Sequence, residues 1–447
     1  MSRLRLLTQI FSPRFRARRP SAILPGFWLL LTGCGPASQL VVPPWNQFHG
    51  DVANSGQVLT GTKPAKELGV VSGQVGRMEF SSPVLAPDGS VWIGTFGSGG
   101  GADASALVRL SVGSGVTVVD RKPLGGQLST PAVDAAGNVY VAQFLPQQSG
   151  SHLLSFGPGG EVRWDIPLVN GRALAPPKVL AVPGGSLIFL PYTGGRTAGG
   201  HVLVVNDQGT ILLEQLACNV IVGGYGLPGF RVDGIDLGPP YPEDPAVAIR
   251  LLQSERGAQH YLVVATNRCS LTFFRLDLGA TAADKPTLTS FNYHETDADA
   301  YSAPAIGADG TVVIADSDRR VTAYDLATGE RKWDYQTDAF VSTTPTLLPL
   351  AINFVYVASY NLLAKLDLAT GQVVGQIGVI GPVDASPAAG GENILISTTS
   401  GVFTYDLDLH LKAFTPLAGG RSSPAIDATG RVYVASTDGM FSVFPGP

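Results

Sequence analysis

The sequence contains few cysteines and few charged residues. Its 447 residues include three cysteines, and Asp, Glu, Lys and Arg together make up 15% of the chain. It has no Cys-x-x-Cys motif and no adjacent pair of cysteines, which argues against thiolate zinc sites and thioredoxin-type redox chemistry. The low charge and the normal apolar content also exclude a charged coiled coil and a disordered tail.

Glycine, proline and apolar residues are abundant instead. The chain has 55 glycines and 33 prolines, and 45% of its residues are apolar. Many turn-forming residues between short apolar runs are typical of an all-β protein. The length alone would suggest about two or three domains. Repeat proteins do not follow this relation between length and domain number.

Charge is distributed unevenly along the chain. Residues 1–33 contain six arginines and no acid, so the remainder has 24 basic and 35 acidic residues, a net charge of −11. Nucleic-acid binding requires clustered Lys and Arg that neutralise phosphates. We therefore expect no nucleic-acid partner, and the basic start of the chain indicates a targeting segment.

The N-terminus has the pattern of an export signal. The arginine-rich stretch is followed by apolar residues 22–32, which are too short for a spanning helix of about 20 residues. The sequence Leu31-Thr32-Gly33-Cys34 resembles the bacterial lipobox, in which the cysteine is acylated after the signal is removed. We predict a signal peptide at 1–33 and lipid attachment at Cys34. The alternative is an ordinary signal peptide that a chance cysteine follows.

The predicted lipoprotein begins with a short tether at 34–44. Position 35 is Gly, not the Asp that favours inner-membrane retention in enteric lipoproteins. The sequence therefore predicts an exported lipoprotein at the outer membrane or cell surface.

One unit recurs through residues 45–447. It consists of a small residue and a proline, two apolar residues, a turn centred on Asp-Gly or an equivalent, and an alternating apolar strand, as in Ser302-Ala303-Pro304 with GADGTVVIAD. Six clear and two degraded copies are headed by prolines 83, 131, 177, 245, 304, 345, 387 and 424. A period of roughly 40–50 residues is typical of propeller repeats. We predict a single domain over 45–447, with a non-repeating insertion at 225–258.

Each unit is predicted to form four short antiparallel strands. Because proline has no N–H to donate, it is expected at the first position of a strand or in an edge strand. Asp-Gly favours a tight hairpin. Sheets that are apolar on both faces must stack, which predicts an all-β, eight-bladed β-propeller. The eighth unit ends after its third strand, so we expect an N-terminal strand within 65–73 to complete it. Residues 45–51 are then expected to lie across the underside.

The best-preserved unit resembles the quinoprotein-like (PQQ-like repeat) propellers with tryptophan-docking repeats. Ala323, Asp325, Thr328, Gly329 and Trp333 match every fixed position of that repeat ending. In that family the Asp and Thr-Gly shape a turn and the Trp stacks between blades. The resemblance therefore implies a structural docking motif at these five residues.

The resemblance also implies a quinone-dependent dehydrogenase activity, which the sequence does not support. Quinone-dependent dehydrogenases of this family have a calcium site and a catalytic aspartate, and several have a vicinal disulfide. This chain has no adjacent cysteines, no acid cluster of the calcium-loop pattern and no His-x-x-x-His motif. We expect no catalytic residue, no metal site and no cofactor, neither PQQ nor calcium.

Two further features are candidates for structure or binding. Cys218 and Cys269 flank the fourth unit and could form a disulfide after export or remain as two buried thiols. The residues before each Ser-x-Pro are predicted to surround the mouth of the central channel, where a mixed aromatic and charged set suits a protein partner. This candidate partner-binding face comprises Phe80, Leu128, Tyr301, Asp384 and Arg421. The alternative is that these residues plug the channel, and the insertion at 225–258 is a second candidate surface.

The sequence thus predicts a non-catalytic, monomeric scaffold that is bound to a membrane by its N-terminal lipid. Its architecture is similar to that of the propeller lipoprotein of the outer-membrane β-barrel assembly machinery, an analogy from fold and lipidation alone. The alternatives are a quinone-dependent dehydrogenase-like enzyme and a surface adhesion or carbohydrate-binding module.

Overall fold

A computed structural model describes most of the chain after the predicted tether. The described residues are 45–58, 61–62, 70–78, 81–98, 104–145, 150–169, 171–194, 200–218, 231–232, 235–236, 247–254, 257–266, 270–295, 302–316, 318–348, 353–417 and 420–446. Residues 40–447 form one compact unit. The predicted signal peptide, tether and Cys34 lie outside the described residues.

The described N-terminal half contains two early strands and the first three blades. The early strands are β1 (Gln57–Val58) and β2 (Val71–Gln74). Blade 1 comprises β3 (Val84–Leu85), β4 (Val91–Ser98), β5 (Ala104–Val112) and β6 (Val116–Pro123). Blade 2 comprises β7 (Gln127–Leu128), β8 (Ala132–Val133), β9 (Val139–Leu145), β10 (Gly150–Phe156) and β11 (Val162–Val169). Blade 3 comprises β12 (Gly171–Arg172), β13 (Lys178–Val182), β14 (Gly185–Gly194), β15 (Gly200–Asn206) and β16 (Ile211–Cys218).

A two-stranded hairpin and blades 4 and 5 follow. The hairpin comprises β17 (Arg231–Val232) and β18 (Ile235–Asp236). Blade 4 comprises β19 (Val247–Ser254), β20 (Gly257–Thr266), β21 (Ser270–Asp277) and β22 (Thr287–Glu295). Blade 5 comprises β23 (Ala305–Ile306), β24 (Thr311–Ala315), β25 (Arg320–Asp325) and β26 (Arg331–Gln336). The predicted insertion at 225–258 was too long, because β19 is the first strand of blade 4 and pairs with β20.

The last three blades complete the ring. Blade 6 comprises β27 (Thr346–Leu347), β28 (Phe354–Ser359), β29 (Leu362–Asp367) and β30 (Val373–Gly378). Blade 7 comprises β31 (Ala388–Gly390), β32 (Asn393–Thr398), β33 (Gly401–Asp406) and β34 (Leu411–Pro416). Blade 8 comprises β35 (Ala425–Ile426), β36 (Val432–Ala435), β37 (Met440–Phe444) and the early strand β2.

The fold is an eight-bladed β-propeller, and this prediction is confirmed. Strand β2 pairs antiparallel with β37, with Val71 opposite Val443 and Gln74 opposite Met440, so an N-terminal strand completes the last blade. The observed strand begins at Val71, later than the start of the predicted range 65–73. Among the described residues there is no helix that could cross a membrane.

Burial explains why middle strands are continuously apolar and outer strands alternate. All five residues of β24 are buried, because neighbouring blades cover both faces of the sheet. In β26 the pattern alternates, with Trp333 buried and its neighbours Lys332 and Asp334 exposed. The core therefore consists of apolar layers between consecutive blades, such as the layer that brings Val313 of blade 5 against Val355 of blade 6.

Candidate functional site

Residues 45–58, here named the hub segment, lie at the axis of the propeller. Backbone N–H groups in the first strand after the heading proline of six blades donate hydrogen bonds of 2.7–3.0 Å to carbonyls of this segment. The pairs are Leu85 with Trp45, Val133 with Asn46, Ile249 with Val52, Ile306 with Ala53, Leu347 with Ser55 and Ala389 with Gly56. Blade 3 contributes the N–H of Val179, which donates to Oε1 of Gln47 at 3.0 Å. The hub segment thus joins blades 1 to 7 in chain order.

Amide side chains of the hub segment donate in the opposite direction. Nδ2 of Asn54 donates to the carbonyls of Val247 in blade 4, at 3.1 Å, and Pro304 at the head of blade 5, at 2.8 Å. Nδ2 of Asn46 donates to the carbonyl of Val133. Because these amide groups are buried, the loss of any of these hydrogen bonds would cost free energy. The hub segment is therefore held by its side chains as well as by its backbone.

His49 lies fully buried within the hub segment. Its Nδ1 is 2.7 Å from the carbonyl oxygen of Asn54, and its Nε2 is 3.0 Å from that of Pro387. The pKa of His49 is lowered from 6.5 to about 4, chiefly by burial and also by the nearby Lys178, whereas the two carbonyl contacts and Asp51 oppose the shift. The imidazole is therefore neutral at pH 7.

A second set of bonds links the blades where each begins. At five junctions the backbone N–H of the residue before the heading proline donates to a hydroxyl at the same position of the next blade, at 2.9–3.1 Å. The links are Ser82 to Thr130, Ala303 to Thr344, Thr344 to Ser386, Ser386 to Ser423 and Ser423 to Ser82. We name these hydroxyl-bearing residues the hydroxyl ring. Its last link joins blade 8 to blade 1 and closes the propeller, a role that the recurring small-residue–proline pair did not reveal.

The predicted docking motif lies at the boundary between blades 5 and 6. Oδ1 of Asp325 accepts hydrogen bonds from the N–H and hydroxyl of Thr328, and the N–H of Gly329 donates to the carbonyl of Asp325, which forms the turn. Ala323 is fully buried and lies opposite Trp333 in the strand register. Nε1 of Trp333 donates to the carbonyl of Leu368 in blade 6 at 2.8 Å. The motif thus connects its own turn to the next blade.

The same arrangement recurs with other residues. Nε1 of Trp164 in blade 2 donates to the carbonyl of Asp207 in blade 3 at 3.1 Å. In blade 4 the equivalent position is Asn292, whose Nδ2 donates to the carbonyl of Thr328 in blade 5 at 2.9 Å. Asn292 was not predicted from the sequence, because an amide does not resemble the tryptophan of the repeat.

The expected partner-binding residues divide into three groups. Phe80 and Tyr301 lie outside the described residues. Leu128 is only 4% exposed and packs in the core between blades 1 and 2, so its placement on an accessible face is corrected. Asp384 and Arg421 come together as an ion pair, with 3.4 Å between Oδ2 and Nε, and Arg421 is exposed. Burial raises the pKa of the Asp384 carboxyl, and Arg421 opposes that shift.

Two exposed apolar side chains belong to segments that adjoin Asp384. Tyr360 is 53% and Ile380 is 69% exposed. The backbone N–H of Tyr360 donates to the carbonyl of Phe340, and the N–H of Val383, adjacent to Asp384, donates to the carbonyl of Tyr360. The turn at Tyr360 inside blade 6 is therefore bonded to the connection before that blade and to the one after it. We group Phe340, Tyr360, Ile380, Asp384 and Arg421 under the name mouth patch.

The remaining sequence predictions concern the cysteine pair, the insertion and a metal site, and the first two features lie mostly outside the described residues. Cys269 and most of 219–246 lie outside the described residues, and only the backbone of Cys218, at the end of β16, is described. Within the described ranges, no three His, Cys, Asp or Glu side chains converge as metal ligands would.

Parts of the chain are similar in sequence to known proteins. Residues 291–443, about a third of the chain, match the family model described as outer membrane protein assembly factor BamB. Protein Rv3035 of Mycobacterium tuberculosis is 24% identical over 236 residues, which cover 50% of each chain, so the match spans half the length of that relative.

Solved structures extend the similarity over most of the chain. BamB from Moraxella catarrhalis has a TM-score of 0.51 and 11% identity, over 84% of this chain and 100% of that one. A europium-containing methanol dehydrogenase has a TM-score of 0.62 and 11% identity, over 88% and 89%. The predicted resemblance to quinoprotein-like propellers is confirmed, and proteins of this fold include an assembly factor and a dehydrogenase.

Proposed function

We propose that the protein is a non-catalytic scaffold that binds a protein partner through the mouth patch, and that a lipid on Cys34 anchors it in the cell envelope. The observation that carries the proposal is the exposure of Tyr360 and Ile380, at 53% and 69%, on segments that adjoin the Asp384–Arg421 ion pair in the chain or by a backbone hydrogen bond. Aromatic and aliphatic side chains next to an arginine are the composition of interface hot spots. Exposed apolar side chains grouped in one surface are a mark of interaction sites.

The frame behind the mouth patch supports binding without rearrangement. The hydroxyl ring fixes the start of each of blades 6, 7 and 8, and Asp384 and Arg421 each lie two residues before one of its members. The hub segment fixes the first strands of blades 6 and 7 from the axis. A surface that is already ordered loses less conformational entropy when a partner binds.

The axis argues for a scaffold without a cofactor. The hub segment lies there, and the side chains of Phe48 and His49 within it are 3% and 0% exposed. A ligand pocket of ordinary size encloses about 300–1,000 Å³, and this part of the axis is filled by the chain itself. We propose that the protein binds neither PQQ nor calcium.

The partner class follows from the compartment. Export and lipidation would place the mouth patch in the periplasm or at the cell surface, and the family model matched by residues 291–443 is named for an outer-membrane assembly factor. We propose an envelope protein as the partner and outer-membrane protein assembly as the context.

A site-specific crosslinker tests the mouth patch. A photo-reactive amino acid replaces Tyr360 in membranes of the native cell, and the matched control replaces Val374, which is 52% exposed on the outer strand of the same blade. We expect one defined envelope partner to crosslink at position 360 and not at 374, and Ile380→Ser to reduce that crosslink at least about tenfold.

Two outcomes would contradict the proposal. Equal crosslinking from positions 360 and 374 would remove the mouth patch as the binding surface. Cofactor absorbance and dye-linked alcohol oxidation after the addition of PQQ and Ca²⁺ to the purified protein would show an enzyme instead of a scaffold.

A further inference from the structure

The first strands of blades 1 to 7 form a groove around the axis, here named the axial groove. The hub segment is folded in turns, and its polar contacts with the groove resemble those of a bound peptide: strand N–H groups donate to its carbonyls, and its buried side chains add specificity. Trp45 and Phe48, at 1% and 3% exposure, are the buried anchors. All of these contacts are non-covalent.

The axial groove discriminates by side chain. Gln47 forms a pair with one residue, because its Oε1 accepts from the N–H of Val179 and its Nε2 donates to the carbonyl of the same residue. Asn54 bridges the carbonyls of two blades. From the groove side, Nζ of the buried Lys178 donates to the carbonyls of Phe48 and Asp51.

The groove is built entirely by residues that follow the hub segment in the chain. The contacting strands lie between β3 and β31, whereas the hub segment precedes them and leads through 59–70 to β2 at the outer edge of blade 8. The hub segment of a second chain can make the same contacts in the groove as the chain's own (cis) segment. The cis segment is favoured only by its high effective concentration. Exchange of an identical element between copies is a low-cost route to association.

We propose that the axial groove is a peptide-binding site that the chain occupies in cis, and that it accepts the hub segment of a second copy of this chain. The site is separate from the mouth patch, so this inference does not depend on the proposed function.

The first test uses a labelled peptide with the sequence of residues 45–58. The full chain carries a protease site inserted within 63–69 and is cut after folding, which frees the resident segment to exchange. We expect the peptide to bind saturably with one site per chain. A control peptide with Asn46, Gln47 and Asn54 replaced by Ala should bind at least about tenfold more weakly, since it loses several buried hydrogen bonds. No incorporation, or equal binding of both peptides, overturns the proposal.

The second test needs no cut and uses two co-expressed full-length chains with different tags. One chain carries Asn46→Ala, Gln47→Ala and Asn54→Ala, which weakens its own cis segment, and the other has its natural hub segment and a second copy of residues 45–58 on an added flexible extension. We expect the two to co-purify, and two chains that both carry the substitutions to remain separate. The absence of co-purification in the first pair, or its presence in the second, overturns exchange between copies.

Discussion

The indole of Trp333 lies against the backbone of Gly371 across the boundary between blades 5 and 6. Gly371 has a φ of +72°, and a Cβ placed on it would lie 2.6 Å from the indole ring. The turn of one blade and the outer strand of the preceding one are thus fitted to each other. The bond from Trp333 Nε1 to the Leu368 carbonyl holds them in this position.

Substitution of Gly371 by Ala should destabilise the propeller by about 2–4 kcal/mol, from the positive φ and from displacement of the indole. The matched control is Gly378→Ala in the same blade, where a Cβ would meet no atom within 4 Å. We expect that control to change the free energy of unfolding by no more than about 0.5 kcal/mol. Urea unfolding of the three proteins measures both effects, and equal stability of the two variants would refute the docking role.

The boundary between blades 6 and 7 carries the same fit with the sizes reversed. Gly375 lies opposite Lys365 as Trp333 lies opposite Ala323, and it faces Leu409, whose φ of +68° matches that of Gly371. Gly375→Trp alone should clash with Leu409 and destabilise the protein. With Leu409→Gly added, a tryptophan on the outer strand again faces a glycine in the turn of the next blade, as Trp333 faces Gly371. A double-mutant cycle should give a favourable coupling of about 1–3 kcal/mol, and additive effects would contradict the equivalence.

At position 386 the hydroxyl ring needs a hydroxyl group, which either Ser or Thr can supply. Oγ of the buried Ser386 accepts the N–H of Thr344 at 2.9 Å. Ser386→Ala leaves that N–H without its acceptor and should cost about 1–3 kcal/mol. Ser386→Thr keeps the hydroxyl, as Thr130 and Thr344 do at the same position, and should be tolerated. Thermal unfolding of the two variants decides, and equal melting temperatures would mean that the ring contributes no stability.

These links show which parts of the fold were accessible to sequence reasoning. Blade number and the closing strand followed from repeated prolines and a missing fourth strand, because such patterns are local and periodic. The Ser-Ser-Pro motif was recognised as repeat structure, but its bond to the next blade joins Ser423 to Ser82 across 341 residues. No local pattern indicates a contact of that kind.

The candidate site was predicted less completely. Asp384 and Arg421 were selected by their place before Ser-x-Pro, and their ion pair was not foreseen. Leu128 was selected by the same rule and is buried, because its blade folds the preceding residues into strand β7 against β9. Tyr360 and Ile380 have no motif and are recognised only by exposure, which depends on tertiary packing.

Burial of His49 makes stability depend on pH. Its pKa in the folded protein is about 4, below the value of 6.5 expected when it is unfolded. The unfolded chain therefore binds a proton first, so this stability is present above pH 6.5 and is lost as the pH falls toward 4. The full loss is about 3 kcal/mol for such a shift. His49→Gln removes this titration and should flatten the pH dependence of the melting temperature between pH 4 and 6.5. The same slope in both proteins would contradict the assignment to His49.

Membrane attachment provides the last prediction, and it concerns Cys34. The lipobox-like sequence that ends at Cys34 predicts a diacylated N-terminal residue. Each buried CH₂ group contributes about 0.8 kcal/mol, so two or more acyl chains give stable anchoring. Cys34→Ala should move the protein from the membrane to the soluble fraction, while Cys218→Ala should leave it in the membrane. Mass spectrometry of the mature N-terminus should show the acyl groups on Cys34. Retention of the Cys34→Ala protein in carbonate-washed membranes would exclude the lipid as its anchor and would shift the search to contacts made by the propeller itself.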